Sequence, residues 1–216
     1  MVNRFLKNFI LFQDLTTDEL ERVADIIYNE SYDKNEIIFW EEDRGDAIYI
    51  ILDGLVKVFK TNDQGREKTL TLLSRGEFFG EMALLDNSLR SASVKAIKPC
   101  QLLIIERSKF KSLVAQYPAI SLKIIAILSQ RLRKANQQIQ NLTFKSVRER
   151  LEDELKELAY KYGSEHKRGT LITKKITHQE LANLVGTTRA TVTKILNQMM
   201  ENNELLIKDR YLILLD

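Results

Sequence analysis

At Pro118 the spacing of apolar residues in this 216-residue chain changes period, and the change limits what the chain can build. Upstream, apolar residues come in short runs separated by turn residues. Downstream, Ile125, Leu128, Leu132, Ala135, Ile139 and Leu142 follow one another at alternating steps of three and four, which places them on one stripe of a helix. That pattern is a coiled-coil seam, and it needs a second helix to cover it. A second row, Ile120, Ile124 and Ile127, is offset and suited to packing the same helix on the upstream part. The alternative is that both rows pack within one chain.

From Ser31 to about Ile105 the runs read as strands: Glu36 to Trp40, Ala47 to Leu52, Leu55 to Lys60, Lys68 to Leu73, Ser93 to Ala96 and Gln101 to Glu106. Turn signals lie between them at Arg44-Gly45-Asp46, Asp53-Gly54, Asn62-Asp63-Gln64-Gly65 and Ser74-Arg75-Gly76. Short strands at even spacing predict a sandwich or small barrel. After the seam, Val147 to Tyr162 reads as an amphipathic helix, Gly163 to Gly169 as a polar break, and the chain from Thr173 onward as a compact head.

In that head, Thr177-His178-Gln179-Glu180 has the form of a capping box, in which a threonine satisfies an early backbone N–H and a glutamate three residues on reaches back. The helix it starts breaks at Gly186, and Thr187 or Thr188 launches another. Two short helices around one glycine form the helix-turn-helix pattern. On the second helix Val192, Ile195, Leu196 and Met199 share one face, while Arg189, Ala190, Thr193, Lys194 and Asn197 share the other. The outer face is small and basic, fit for a major groove, where Arg or Lys can bond guanine and a threonine methyl can meet thymine. Leu205 to Ile213 reads as two strands around a turn, a wing.

With 44% hydrophobic and 29% charged residues the composition is that of a soluble globular protein, and a net charge of +3 permits nucleic-acid binding without demanding it. The apolar run Ile124 to Leu128 falls far short of the roughly 20 residues that span a bilayer. The opening MVNRFLKNFILF meets Asp14 and Asp18 where a signal peptide would need small residues, so the expected location is cytoplasmic, with no membrane partner. The single cysteine, Cys100, cannot form an internal disulfide or hold an iron–sulfur cluster, and neither His166 nor His178 has the neighbours of a metal site. No histidine precedes His166, which disfavours haem. No catalytic constellation and no phosphate loop ending in Lys-Ser or Lys-Thr is present, so the expectation is a protein that is no enzyme and requires no cofactor.

The stretch ITHQELANLVGTTRATVTKILNQM resembles the reading head of the cyclic-AMP receptor protein and fumarate-nitrate-reduction regulator family, and the likeness covers nearly the whole chain. It implies an α+β fold: a cyclic-nucleotide-binding-like β-barrel (jelly roll) over residues 1–117, a dimerisation helix and hinge over 118–143, and a winged helix-turn-helix over 144–216. It implies that Thr188, Arg189, Ala190, Thr191, Thr193 and Lys194 meet DNA, Arg189 reading guanine. The receptor that names the family has glutamate and arginine where this chain has Ala190 and Lys194. Its partners by the same implication are double-stranded DNA at a palindromic operator, a second copy of the chain, and RNA polymerase.

Phe79-Gly80-Glu81-Met82-Ala83-Leu84-Leu85, followed by Arg90-Ser91-Ala92-Ser93-Val94, resembles the family's phosphate-binding cassette. A cyclic phosphodiester needs a fixed cation and several donors. Arg90 can make a bidentate contact and Ser91 can offer its hydroxyl and N–H; the N–H groups of a short helix from Gly80 through Met82 and Ala83 add more. Glu81 can accept from the ribose hydroxyl; alternatively Arg90 and Glu81 pair with each other in an empty cassette. Where the receptor places threonine and serine against adenine, this seam helix has Ala135 and Asn136, and the Asn136 amide can bond a base edge. The implied effector is cyclic AMP or another cyclic nucleotide. Two other readings stay open: a ligand-independent regulator whose barrel is a scaffold, and a cyclic-nucleotide-sensing subunit that acts through protein contacts alone.

Overall fold

The structure is a computed structural model that describes residues 6–209 and 211–215. Residues 1–5 of the opening stretch and Arg210 of the expected wing turn lie outside the described residues. The chain forms two compact units, one from residues up to Arg66 and from Leu70 to Leu132, the other from Glu67–Thr69 and the residues after Leu132.

The first unit holds α1 (Thr17–Ala24), β1 (Tyr28–Tyr32), β2 (Ile37–Phe39), β3 (Ala47–Asp53), β4 (Leu55–Thr61), most of β5 (Glu67–Ser74), β6 (Phe78–Phe79), α2 (Glu81–Asp86), β7 (Ser93–Ala96), β8 (Cys100–Glu106), α3 (Arg107–Gln116) and the start of α4 (Pro118–Phe144). The jelly-roll region is built as two four-stranded sheets, β1-β8-β3-β6 and β2-β7-β4-β5. Period-two alternation in β3 and β8 explains how the first sheet is buried on both faces. Ile48 and Ile50 with Leu103 and Ile105 pack against Leu20, Val23, Phe110, Leu113, Ile120 and Ile124 of the helices. Ala47, Ile51, Cys100, Leu102 and Ile104 point the other way, into a core shared with Val56, Leu73, Val94 and Ala96 of the second sheet. Each fully buried isoleucine contributes about 1.5–3 kcal/mol, so two such rows hold the sheet firmly. Helix α1 is an element that the strand reading overlooks. Its capping box is complete: the Glu19 N–H donates to Thr16 Oγ1 and the Thr16 N–H donates to Glu19 Oε2 at 2.7 Å.

In α4 the offset row performs as expected. Ile120 and Ile124 are buried in the first unit's core, with Ile127 and Leu128 packed partly against it. The seam stripe is left bare except at Leu128, which departs from the expectation by packing partly on the core: Ile125, Leu132 and Ile139 are 57%, 63% and 63% exposed, and Ala135 and Leu142 are exposed as well. Among the described residues no single helix is long and apolar enough to cross a membrane.

The second unit holds α5 (Val147–Tyr162), β9 (Gly163–His166), β10 (Gly169–Ile172), α6 (His178–Val185), α7 (Arg189–Glu201), β11 (Leu205–Lys208) and β12 (Tyr211–Leu215). Leu151, Leu155 and Leu158 recur at helical spacing on α5 and meet Leu181, Val185, Val192, Leu196 and Met199 in one core. The wing expected from Leu205 to Ile213 forms, with Leu206 opposite Ile213. The polar break expected at Gly163 to Gly169 is instead a hairpin, β9 against β10. Its strands need no apolar alternation, because β10 is fixed by pairing with β12, Leu171 opposite Ile213.

Candidate effector cassette and nucleic-acid interface

Gly80 opens the cassette helix α2 in the left-handed conformation, φ 83°. A Cβ there would lie 2.7 Å from Arg90 Nη1 and 3.1 Å from the Ala47 carbonyl oxygen, so only glycine lets the backbone close over the arginine. Arg90 itself is 3% exposed. Its Nη1 donates to the Gly80 carbonyl at 2.8 Å and its Nη2 to the Ala47 carbonyl at 3.0 Å. The guanidinium lies 4.2 Å over the Phe39 ring, with Tyr49 beside it. Burial pushes its pKa down from the ordinary arginine value, partly offset by Tyr49 and Asp46. Among the described residues no carboxylate forms an ion pair with it.

Glu81 does not pair with Arg90. Its buried side chain takes a 2.7 Å ion pair from Arg131 of α4, whose Nη2 also donates to the Phe78 carbonyl. Ser91 Oγ lies 3.5 Å from Met82 Sδ, and Ala83 is buried while Met82 is half exposed. Arg107, at the start of α3, donates to the Ala83, Leu84 and Gly45 carbonyls and to Asn87 Oδ1, closing the far end of α2. The structure thus brings Gly80, Glu81, Met82, Ala83, Arg90 and Ser91 together. Asn136 is exposed on α4 beyond Leu132, in the second unit.

In the head, Thr177 caps α6 with a full capping box: the Thr177 N–H donates to Glu180 Oε2 at 2.6 Å, and the Glu180 N–H donates to Thr177 Oγ1 at 3.1 Å. Gly186 ends the helix in the left-handed region, φ 74°, and its N–H donates to the Ala182 carbonyl. Of the two candidate threonines it is Thr188 that caps α7, accepting from the Thr191 N–H at 3.2 Å. Arg189, Ala190, Thr193, Lys194, Asn197, Gln198 and Glu201 lie together along one open face of α7. Arg189, Ala190, Lys194 and Asn197 are exposed there, while Val192, Ile195, Leu196 and Met199 are buried opposite. A convex helix with an exposed, small and basic face is the shape that enters a major groove.

Three residues were missed in the sequence. Arg107 and Arg131 act on partners more than 20 residues away, and no local pattern announces them. His178, placed by the sequence at the start of a helix and in no metal site, brings its Nδ1 to 2.8 Å from Thr193 Oγ1.

Comparison with known proteins fits this geometry. The cyclic nucleotide-binding domain family matches residues 29–117, and the Crp-like helix-turn-helix domain family matches residues 149–216. The chain is 34% identical over 196 residues to the cyclic AMP receptor protein of Thermus thermophilus, covering 91% of this chain and 88% of that one. Among solved structures it is similar to the c-di-GMP responsive global regulator CLP of Xanthomonas campestris, with a TM-score of 0.83 and 25% identity over 93% of this chain and 100% of that one. It is also similar to CooA of Carboxydothermus hydrogenoformans, with a TM-score of 0.78 and 26% identity over 90% of this chain and 86% of that one.

Proposed function

The chain belongs to the cyclic-AMP receptor protein and fumarate-nitrate-reduction regulator family of DNA-binding transcription regulators, and from that premise we propose that it works as a homodimer gated by a cyclic nucleotide. The observation that carries the effector class is Arg90. A cation 3% exposed, held by carbonyls and ring faces and ion-paired with no carboxylate among the described residues, is costly to bury without an anion, and a phosphodiester supplies one. Relatives are named for cyclic AMP or for c-di-GMP, and the charge that Arg90 would meet is common to both.

The bare stripe of Ile125, Leu132, Ile139 and Leu142 supports dimerisation through α4, since such a ridge left in water is a liability. Glu81 would accept from the ribose and, through Arg131, pass the change to α4; coupling of ~1 to 3 kcal/mol is the usual scale. Thr188, Arg189, Ala190, Thr191, Thr193 and Lys194 then meet the operator, with Arg189 on guanine. Family membership supports RNA polymerase as a further partner and regulation rather than catalysis as the role.

The test is thermal unfolding against cyclic AMP, cyclic GMP and cyclic di-nucleotides, paired with operator affinity. An effector at 100 times its Kd adds about 2.7 kcal/mol of stability. A cyclic nucleotide that stabilises the protein and changes its operator affinity supports the proposal. No response to any of them removes the cyclic nucleotide and leaves the family assignment standing.

A further inference from the structure

Thr193 has no donor to offer DNA. Its hydroxyl lies 2.9 Å from the Arg189 carbonyl oxygen, which can only accept, so the one hydroxyl proton goes there. The same oxygen lies 2.8 Å from Nδ1 of His178, the first residue of α6. With the proton committed, that contact is a hydrogen bond only if Nδ1 carries the hydrogen and donates. One lone pair is thereby used as well. What Thr193 has left is its γ-methyl and a single lone pair, on the face it shares with Arg189, Ala190, Lys194 and Asn197.

A threonine in a helix ordinarily divides between two side-chain rotamers. A donor fixed on a neighbouring helix selects the one that keeps both bonds. We infer that His178 is a positioning residue of the reading head: by donating to Thr193 it holds that side chain so that its methyl, not its hydroxyl, meets the duplex and reads the C5-methyl of a thymine. This rests on the DNA-reading function proposed above, and adds to it a residue outside the recognition helix.

The experiment selects operators from a random duplex pool with wild-type protein, then replaces each selected thymine by deoxyuridine, which lacks only that methyl. The expected result is one thymine per half-site at which the replacement weakens binding about fourfold, the factor for one buried methyl group. Thr193→Val keeps this discrimination and Thr193→Ser loses it. His178→Leu blunts it while leaving the Arg189-dependent base preference intact, and His178→Gln, which restores a donor, recovers part of it. The inference is overturned if Thr193→Ser discriminates and Thr193→Val does not, if no selected thymine is sensitive, or if His178→Leu discriminates like wild type. Failure of the wild-type protein to enrich any palindrome overturns the DNA-reading function and this inference with it.

Discussion

Arg131 of α4 and Glu81 of α2 are joined by a 2.7 Å ion pair in which the Glu81 side chain is 2% exposed and the Arg131 side chain 33%. Truncating the arginine strands a carboxylate with no cation, whereas replacing both partners removes the charge as well. Arg131→Met should lower the stability of the first unit by about 3 kcal/mol, and Arg131→Met with Glu81→Gln should restore much of it. Thermal or denaturant unfolding of the ligand-free protein checks this. Equal midpoints for the single and double variants would mean that the pair carries no such energy.

Arg90 should behave oppositely in the two states of the cassette. In ligand-free protein Arg90→Met removes a buried cation that no carboxylate balances, so the unfolding midpoint should hold or rise. Binding of the cyclic nucleotide should weaken by about 2 to 5 kcal/mol, measured by calorimetry. A variant that binds like wild type would remove Arg90 from the effector site.

The seam prediction is a change of assembly. Leu132→Lys places a charge on the exposed stripe between Ile125 and Ile139, and sedimentation should then show monomers together with weakened operator binding. A variant that sediments as a dimer with wild-type DNA affinity would exclude the stripe as the interface.

Two reading heads about one duplex turn apart, roughly 34 Å, should select an imperfect palindrome. Arg189→Ala should cost about 1 to 3 kcal/mol per half-site and relax one base position. Lys194, also exposed on that face, separates by salt: if it holds a phosphate, Lys194→Ala weakens all sequences alike and flattens the salt dependence, whereas a base contact changes the selected sequence.

The cap of α5 gives a pH dependence of known sign. Hydrogen bonds from Ser146, side chain first and then backbone, hold the exposed Glu149 carboxyl below its ordinary range. A carboxyl with a lowered folded-state pKa supports the fold above its unfolded pKa, and that support is lost as pH falls through the folded value. Ser146→Ala should therefore move the Glu149 titration midpoint, followed by NMR, upward toward the ordinary value.

What was legible in the sequence is what depends on neighbours along the chain. The Thr177 capping box, the Gly186 turn and most strand positions are local patterns, and each stands where it was expected; the helical period of α4 is one too, with Leu128 alone of its stripe turned partly onto the core. Helix α1 carried the same Thr–x–x–Glu signature at Thr16 and Glu19 and was there to be found. The β9–β10 hairpin was not: Ser164, Glu165 and His166 have no apolar alternation, and β9 is held by β10, which is in turn fixed by pairing with β12, with Leu171 opposite Ile213. The cassette residues were recognisable as a set, but Glu81 was expected to meet Arg90 or a ribose. Its partner in the structure lies 50 positions along, beyond the reach of any local pattern.

The central sheet of the first unit pairs β1 with β8, Tyr28 opposite Ile104, and β3 with β8, Ile48 opposite Ile105. During synthesis the last strand to emerge is therefore the one that joins the earlier two. At roughly 5–20 residues per second the nascent chain carries β1 and β3, the latter with two apolar faces, for several seconds before β8 leaves the ribosome. Such strands are open to pairing with other nascent chains in that interval. A translational pause shortly after β8 has emerged would leave that interval unchanged and give the sheet time to close before the next element appears, whereas a pause between β3 and β8 would prolong it.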